Sequence, residues 1–126
     1  MSICALGLIL LVGSSCSTGW LFNEGQANFD MGMARFNHGD FEGAIPYFQS
    51  ATLDNPNFGQ AYLYLGRSYL SLRRWREAVQ PLRTAYRLAP QDTQQEIFNL
   101  MMDAVLAAAM DGLLPEGPKP SPERRR

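Results

Sequence analysis

Residues 59–90 read GQAYLYLGRSYLSLRRWREAVQPLRTAYRLAP, and the stretch immediately upstream repeats their pattern. Displacing the sequence along itself by about 34 residues, a period typical of helix-turn-helix repeats, lays Gly32 on Gly66, Ala44 on Ala78, Ala51 on Ala85 and Pro56 on Pro90. At the same offset Met31 meets Leu65, Phe41 meets Trp75, Ile45 meets Val79 and Phe48 meets Leu82. Small residues at Gly32, Gly66, Ala44 and Ala78 allow two antiparallel helices to approach closely, while the large ones fill the space between neighbouring pairs. Proline closes the second helix of each pair.

Working outward, the order of these residues resembles the tetratricopeptide repeat. Its run of aromatic, Leu-Gly, Tyr, Ala, large apolar, Ala and Pro is matched in the second copy by Tyr62, Leu65, Gly66, Tyr69, Ala78, Leu82, Ala85 and Pro90. The first copy matches with Met31, Gly32, Ala44, Phe48, Ala51 and Pro56, and carries a Gly39-Asp40 turn. It departs at Asn28, where the family has an aromatic residue, and at Arg35, where it has tyrosine. A looser first helix is therefore expected, with Phe36 filling the gap.

The resemblance implies an all-α solenoid of two repeats, residues 23–57 and 58–91, followed by a capping helix within 92–113. The helices are expected at 23–37, 40–53, 59–72, 75–88 and 93–111. Asn23-x-x-Gln26, Asn57-x-x-Gln60 and Asp92-x-x-Gln95 each read as a capping signal, in which side chains satisfy free backbone donors at a helix start. Pro46 and Pro81 fall within the second helices, where each removes one hydrogen bond. The last segment has apolar residues at Ile97, Leu100, Met101, Ala104, Val105 and Ala108, a one-sided helical stripe. In the phase of the repeat Leu100 falls on the glycine position, so this helix reads as a cap over the second pair and not as the start of a third repeat. A stack of fewer than three repeats is marginal, which makes the cap necessary for folding.

The ends of the chain have a different character. Residues 3–12, ICALGLILLV, are continuously apolar and are followed by Gly13-Ser14-Ser15 and Cys16. The run is short for a membrane span of about 20 residues and has the length of a signal-peptide core. With the cysteine placed after small residues it resembles a bacterial lipoprotein signal, 1–15, which implies cleavage and lipidation at Cys16 and a short lipid-anchored linker over 16–22. Ser17, in place of aspartate, resembles the sorting signal for the outer membrane, so a periplasm-facing position in the bacterial envelope is expected. Residues 114–126 are rich in proline and charge and have the composition of a disordered tail.

Composition narrows the function further. The net charge is −1 in 126 residues, which gives no general attraction to nucleic acid or anionic lipid. The charges are banded: the first repeat is acidic, the second is basic through Arg67, Arg73, Arg74, Arg76, Arg83 and Arg87, and the cap is acidic through Asp92, Glu96, Asp103 and Asp111. Such bands serve either as solvated faces or as a means of stacking copies into a homo-oligomer. The single histidine, His38, lies in the first turn without a second ligand, and both cysteines precede the repeats. No metal site, cofactor motif, phosphate loop or nucleophile motif is present in the sequence. An enzyme is not expected.

A protein-binding role is expected instead. The family's ligand-facing positions lie on the first helix of each pair. Carried onto this chain they are Gln26, Phe29, Met33, Phe36 and Asn37, then Gln60, Leu63, Arg67, Leu70 and Ser71, with Gln94, Ile97, Met101, Phe98 and Val105 added by the cap. The family's Lys and Asn clamp for a terminal carboxylate is absent, and Arg67 stands as a cation among apolar residues. The resemblance implies a groove for an apolar peptide or amphipathic helix of another protein, in a membrane-tethered adaptor or assembly factor. The same residues are equally compatible with a groove filled by residues 20–22 or by the cap itself.

Overall fold

A computed structural model describes residues 25–112, which form five helices: α1 (Gln26–Asn37), α2 (Phe41–Asp54), α3 (Gly59–Ser71), α4 (Trp75–Leu88) and α5 (Gln91–Asp111). The apolar run, Cys16, residues 20–22 and the proline-rich tail lie outside the described residues. The fold is an all-α stack of two helix-turn-helix repeats closed by α5, each helix packing on its neighbour in sequence.

The glycines and large residues of the repeat meet as their spacing requires. A Cβ at Gly32 would stand 2.7 Å from the Phe48 ring, and one at Gly66 would stand 2.6 Å from Leu82. Phe48 and Leu82 are fully buried with Ala44, Ala51, Ala78 and Ala85. Bare backbone at Gly32 and Gly66 is thus the condition for α1 to close on α2 and α3 on α4.

The two turns inside the repeats are copies of one another. In the first, Gly39 N–H donates to the Phe36 carbonyl and Asp40 N–H to that of Arg35; in the second, Arg73 donates to Leu70 and Arg74 to Tyr69. Both turns need a left-handed residue. The first supplies Gly39 at φ 78°, and the second forces Arg73 into φ 58°. Asp40 then caps α2, its carboxylate accepting from Gly43 N–H at 2.9 Å. Arg74 holds the same place before α4 and cannot cap; its guanidinium pairs with Glu77 and Glu42.

The expected caps of the first helices differ from those observed. Gly25 occupies the cap position of α1, while Asn23 lies outside the described residues. Phe58, not Asn57, precedes α3, because its ring packs at 4.8 Å from Phe29 and the burial outweighs a side-chain cap. Pro90 precedes α5 in extended conformation, and its carbonyl accepts from Thr93 and Gln94. Asp92 therefore sits inside the first turn, where a negative charge suits the helix dipole.

The first helix, expected to be looser, is tied down from several sides. Phe36 makes edge-on contacts with Phe41, Phe48 and Tyr64. Asn28 donates to Asp54 at 2.7 Å, and Arg35 pairs with Asp40 at 2.8 Å and lies over Tyr47. Met31 is 52% exposed whereas its counterpart Leu65 is 6% exposed, because no described helix precedes α1.

Candidate functional site

The first helices of successive units, α1, α3 and α5, line one side of the stack. α1 and α3 are bridged by the aromatic cluster of Phe29, Phe36, Phe48, Phe58 and Tyr64. α3 and α5 are separated by α4, and the space between them is an open pocket of about 480 Å³. From α3 it is lined by Gln60, Leu63, Tyr64 and Arg67; from α4 and the following turn by Ala85, Leu88 and Pro90; from α5 by Thr93, Glu96 and Ile97. Phe58 closes the end nearest the aromatic cluster.

The floor is apolar and the mouth is charged. Leu63 and Ile97 are buried, as is Ala85. Arg67 donates to Glu96 across the gap between α3 and α5, and its guanidinium lies 5.4 Å from the centre of the Tyr64 ring. The pair is solvent-accessible, with the Arg67 side chain 30% and the Glu96 side chain 57% exposed. An accessible ion pair of this kind contributes little to stability. The pocket thus combines an apolar floor with a solvent-accessible ion pair at its mouth.

The residues anticipated for the groove separate into four groups. Gln60, Leu63, Arg67 and Ile97 come together in the pocket. Phe29 is buried at 8% exposure inside the aromatic cluster, and Leu70 and Met101 pack against the core, half-buried. Met33 and Phe36 are half-buried on α1, and Asn37 is exposed at its end. Phe98 and Val105 stand away from the pocket: Phe98 packs beside Tyr86 of α4, at 6.3 Å between ring centres, and Val105 is 43% exposed.

The reason is the connection before α5. Residues 55–58 join the first pair to α3, but only residues 89 and 90 join the second pair to α5. A difference of two residues turns a helix by about 200° relative to the sequence phase. That rotation brings Thr93 and Glu96, absent from the expected set, to the pocket. Their one signal in the sequence was the opposite charge of Arg67 and Glu96.

The charge bands meet within one chain. Arg74 of the basic repeat reaches Glu42 of the acidic one, and Arg67 reaches Glu96 of the cap. The Arg35 guanidinium and the Gly43 N–H hold the Asp40 carboxyl below its ordinary value, and Arg74 does the same for Glu77. Among the described residues no three His, Cys, Asp or Glu side chains gather as a metal site would require, and no described helix is long and apolar enough to cross a membrane.

The fold, the repeated turns and the open face of first helices define a helical-repeat binding scaffold. The tetratricopeptide repeat family model matches residues 29–93, just over half of the 126, and the chain belongs to that family. No curated protein matches it. Repeats of this family generally mediate protein–protein interaction and are typically non-catalytic.

Proposed function

We propose that the protein is a non-catalytic adaptor or assembly factor that holds an apolar peptide or amphipathic helix of another protein against the face of α1, α3 and α5. The observation that carries this reading is the pocket between α3 and α5, where an apolar floor of Leu63 and Ile97 lies under the accessible Arg67–Glu96 pair. Pockets that combine an apolar floor with a few convergent polar groups are the usual form of a recognition site. One apolar residue of the ligand enters the floor, and a neighbouring carboxylate or a helix C-terminus engages Arg67 in place of Glu96. Met33 and Phe36 extend the contact along α1.

The anchor completes the reading. Lipidation of Cys16 holds the domain at a bacterial envelope membrane, facing the periplasm and most consistent with the outer membrane, where tethering raises the effective concentration of a membrane-bound partner. The resemblance of residues 1–16 to a lipoprotein signal supports this. Metabolic labelling with a fatty acid in a bacterial host tests it: label is expected on the parent chain and absent from Cys16→Ser.

The groove is tested with a displayed peptide library selected on the full chain, followed by affinity measurement of the best peptide. Thr93→Trp fills the pocket from a half-buried position on α5. An affinity loss of at least tenfold with unchanged helicity is expected, and equal affinity for parent and variant would remove the pocket from the binding surface.

A further inference from the structure

Every Lys or Arg among the described residues is an arginine. Arg35, Arg67 and Arg74 are each paired with an acid and lie over a tyrosine ring. Arg73, Arg76, Arg83 and Arg87 have no carboxylate partner among the described residues. The last three share one side of α4. Arg76 and Arg83 lie two residues before the fully buried Ala78 and Ala85, and Arg87 two after Ala85, so each stands about 200° around the helix from the core. Exposed guanidinium groups therefore run along about 16 Å of the outer side of α4, with Arg73 beside Trp75 at its start. The repeat does not require them, since the equivalent positions of the first copy are Gly39, Glu42, Gln49 and Leu53.

We infer that this arginine face docks on an anionic membrane surface, its guanidinium groups engaging lipid phosphates. The planar fork of arginine sets two donors against two phosphate oxygens. Acids are kept off the face. Glu96 lines the pocket, and Asp92 and Asp103, four residues before it and seven after it, share its side of α5. Glu77 and Glu42 are engaged by Arg74. Asp111 remains near one end, in the last turn of α5.

α5 continues this surface. A Cβ at Gly112 would stand 3.9 Å from Arg76 Nη2, and Tyr86, the neighbour of Arg87, packs beside Phe98. The outer stripe of α5, with Phe98, Met102 and Leu106 exposed, thus runs alongside the arginine row. Cations flanked by exposed apolar side chains compose a surface that lies in a membrane interface, the cations among headgroups and the apolar groups at the acyl boundary. An acidic protein would match the charge alone. The arginines select the occupant, and the stripe adds depth to the contact. The inference rests on the tethering part of the proposed function, which keeps the domain near enough to the bilayer for weak contacts to be populated. It turns the outer side of α4 to the membrane and leaves the pocket, lined from α4 by Ala85, facing away.

Arginine-specific modification tests the face with every residue in place. The full chain is added to vesicles of phosphatidylcholine, with or without phosphatidylglycerol, and treated with phenylglyoxal, and each arginine is followed by mass spectrometry. Arg76, Arg83 and Arg87 are expected to react at least fivefold more slowly on vesicles containing phosphatidylglycerol than on phosphatidylcholine alone, with Arg35 on α1 unchanged. Arg83→Glu, at an exposed position and with circular dichroism as the check on folding, should return Arg87 to its rate on the neutral vesicles. Equal rates on the two kinds of vesicle, equal protection of Arg35, or indifference of Arg87 to Arg83→Glu would each overturn the inference. Protection in intact bacterial membranes but not on vesicles of the lipid extracted from them would assign the face to a protein and overturn it as well. Fatty-acid labelling at Cys16 reports on the anchor separately, so failure of this docking and failure of the tether are told apart.

Discussion

At the scale of the residue, the second turn pays for its sequence. The equivalent turns centre on Gly39 and Arg73, and only the first has the residue that a left-handed conformation favours. Holding a non-glycine residue there costs about 1–2 kcal/mol, partly offset by the Arg73 guanidinium lying 6.0 Å from the Trp75 ring, worth about 0.5 kcal/mol at an exposed site. Arg73→Gly is expected to stabilise the domain by about 0.5–1 kcal/mol, after the extra freedom glycine gives the unfolded chain is counted. Chemical denaturation read by circular dichroism checks the sign, and a loss of stability would show that the Trp75 stacking outweighs the strain.

Residue-level pattern was also what made the second helices legible in advance. The contact of Gly32 with Phe48 recurs one period later as that of Gly66 with Leu82, the equivalences that the repeat offset had marked, and α2 and α4 begin within a residue of expectation. The capping signals were weaker guides, because a short polar motif competes with tertiary packing. Phe58 takes the cap position of α3 to bury its ring, and Pro90 takes that of α5 because its carbonyl receives two backbone donors.

At the scale of the element, α5 decides both folding and site geometry. It buries Ile97 to 1% exposure and Ala104 completely against the second pair, and it supplies one wall of the pocket. Replacing Ile97 by alanine is expected to cost about 2–4 kcal/mol, the range for truncating a fully buried branched side chain, and ending the chain after Pro90 should leave no cooperative unfolding transition. Thermal melts by circular dichroism distinguish the two outcomes; a truncated chain that still melts cooperatively would show that the two repeats stand alone.

This helix was also the least legible part of the site. The family pattern phases α1 and α3 but stops before α5, and its face depends on the length of the connection. With two connecting residues in place of four, Phe98 and Val105 turn away from the groove while Thr93 and Glu96 turn into it. Phe29 was misplaced for another reason. α1 and α3 are joined by aromatic rings, so a position that faces ligand in a more open stack is enclosed here among Phe48, Phe58 and Tyr64.

At the scale of the whole molecule, ion pairs link units that the sequence had separated into charge bands. Asp40 and Glu77 are both held below their ordinary values of 3.8 and 4.5 by arginine partners. For such groups the unfolded chain binds protons more readily than the folded one, so their contribution is present above about pH 4–5 and is lost as pH falls through the depressed folded values. The melting temperature is expected to fall as pH drops below about 4, and to fall less steeply in Asp40→Asn, which no longer titrates at that position. Parallel slopes for the two proteins would mean that Asp40 does not carry its share.

The central claim is that the opening between α3 and α5 receives a peptide. Its most direct test is a titration of the isotope-labelled chain, 14.1 kDa, with a library-selected peptide, followed residue by residue by nuclear magnetic resonance. The account predicts saturable shifts centred on Leu63, Arg67, Thr93 and Ile97, with the Arg67 side-chain signal moving as Glu96 is displaced. Shifts confined to the outer stripe of α5, or to the convex side of α2 and α4, with these four residues unmoved, would contradict it.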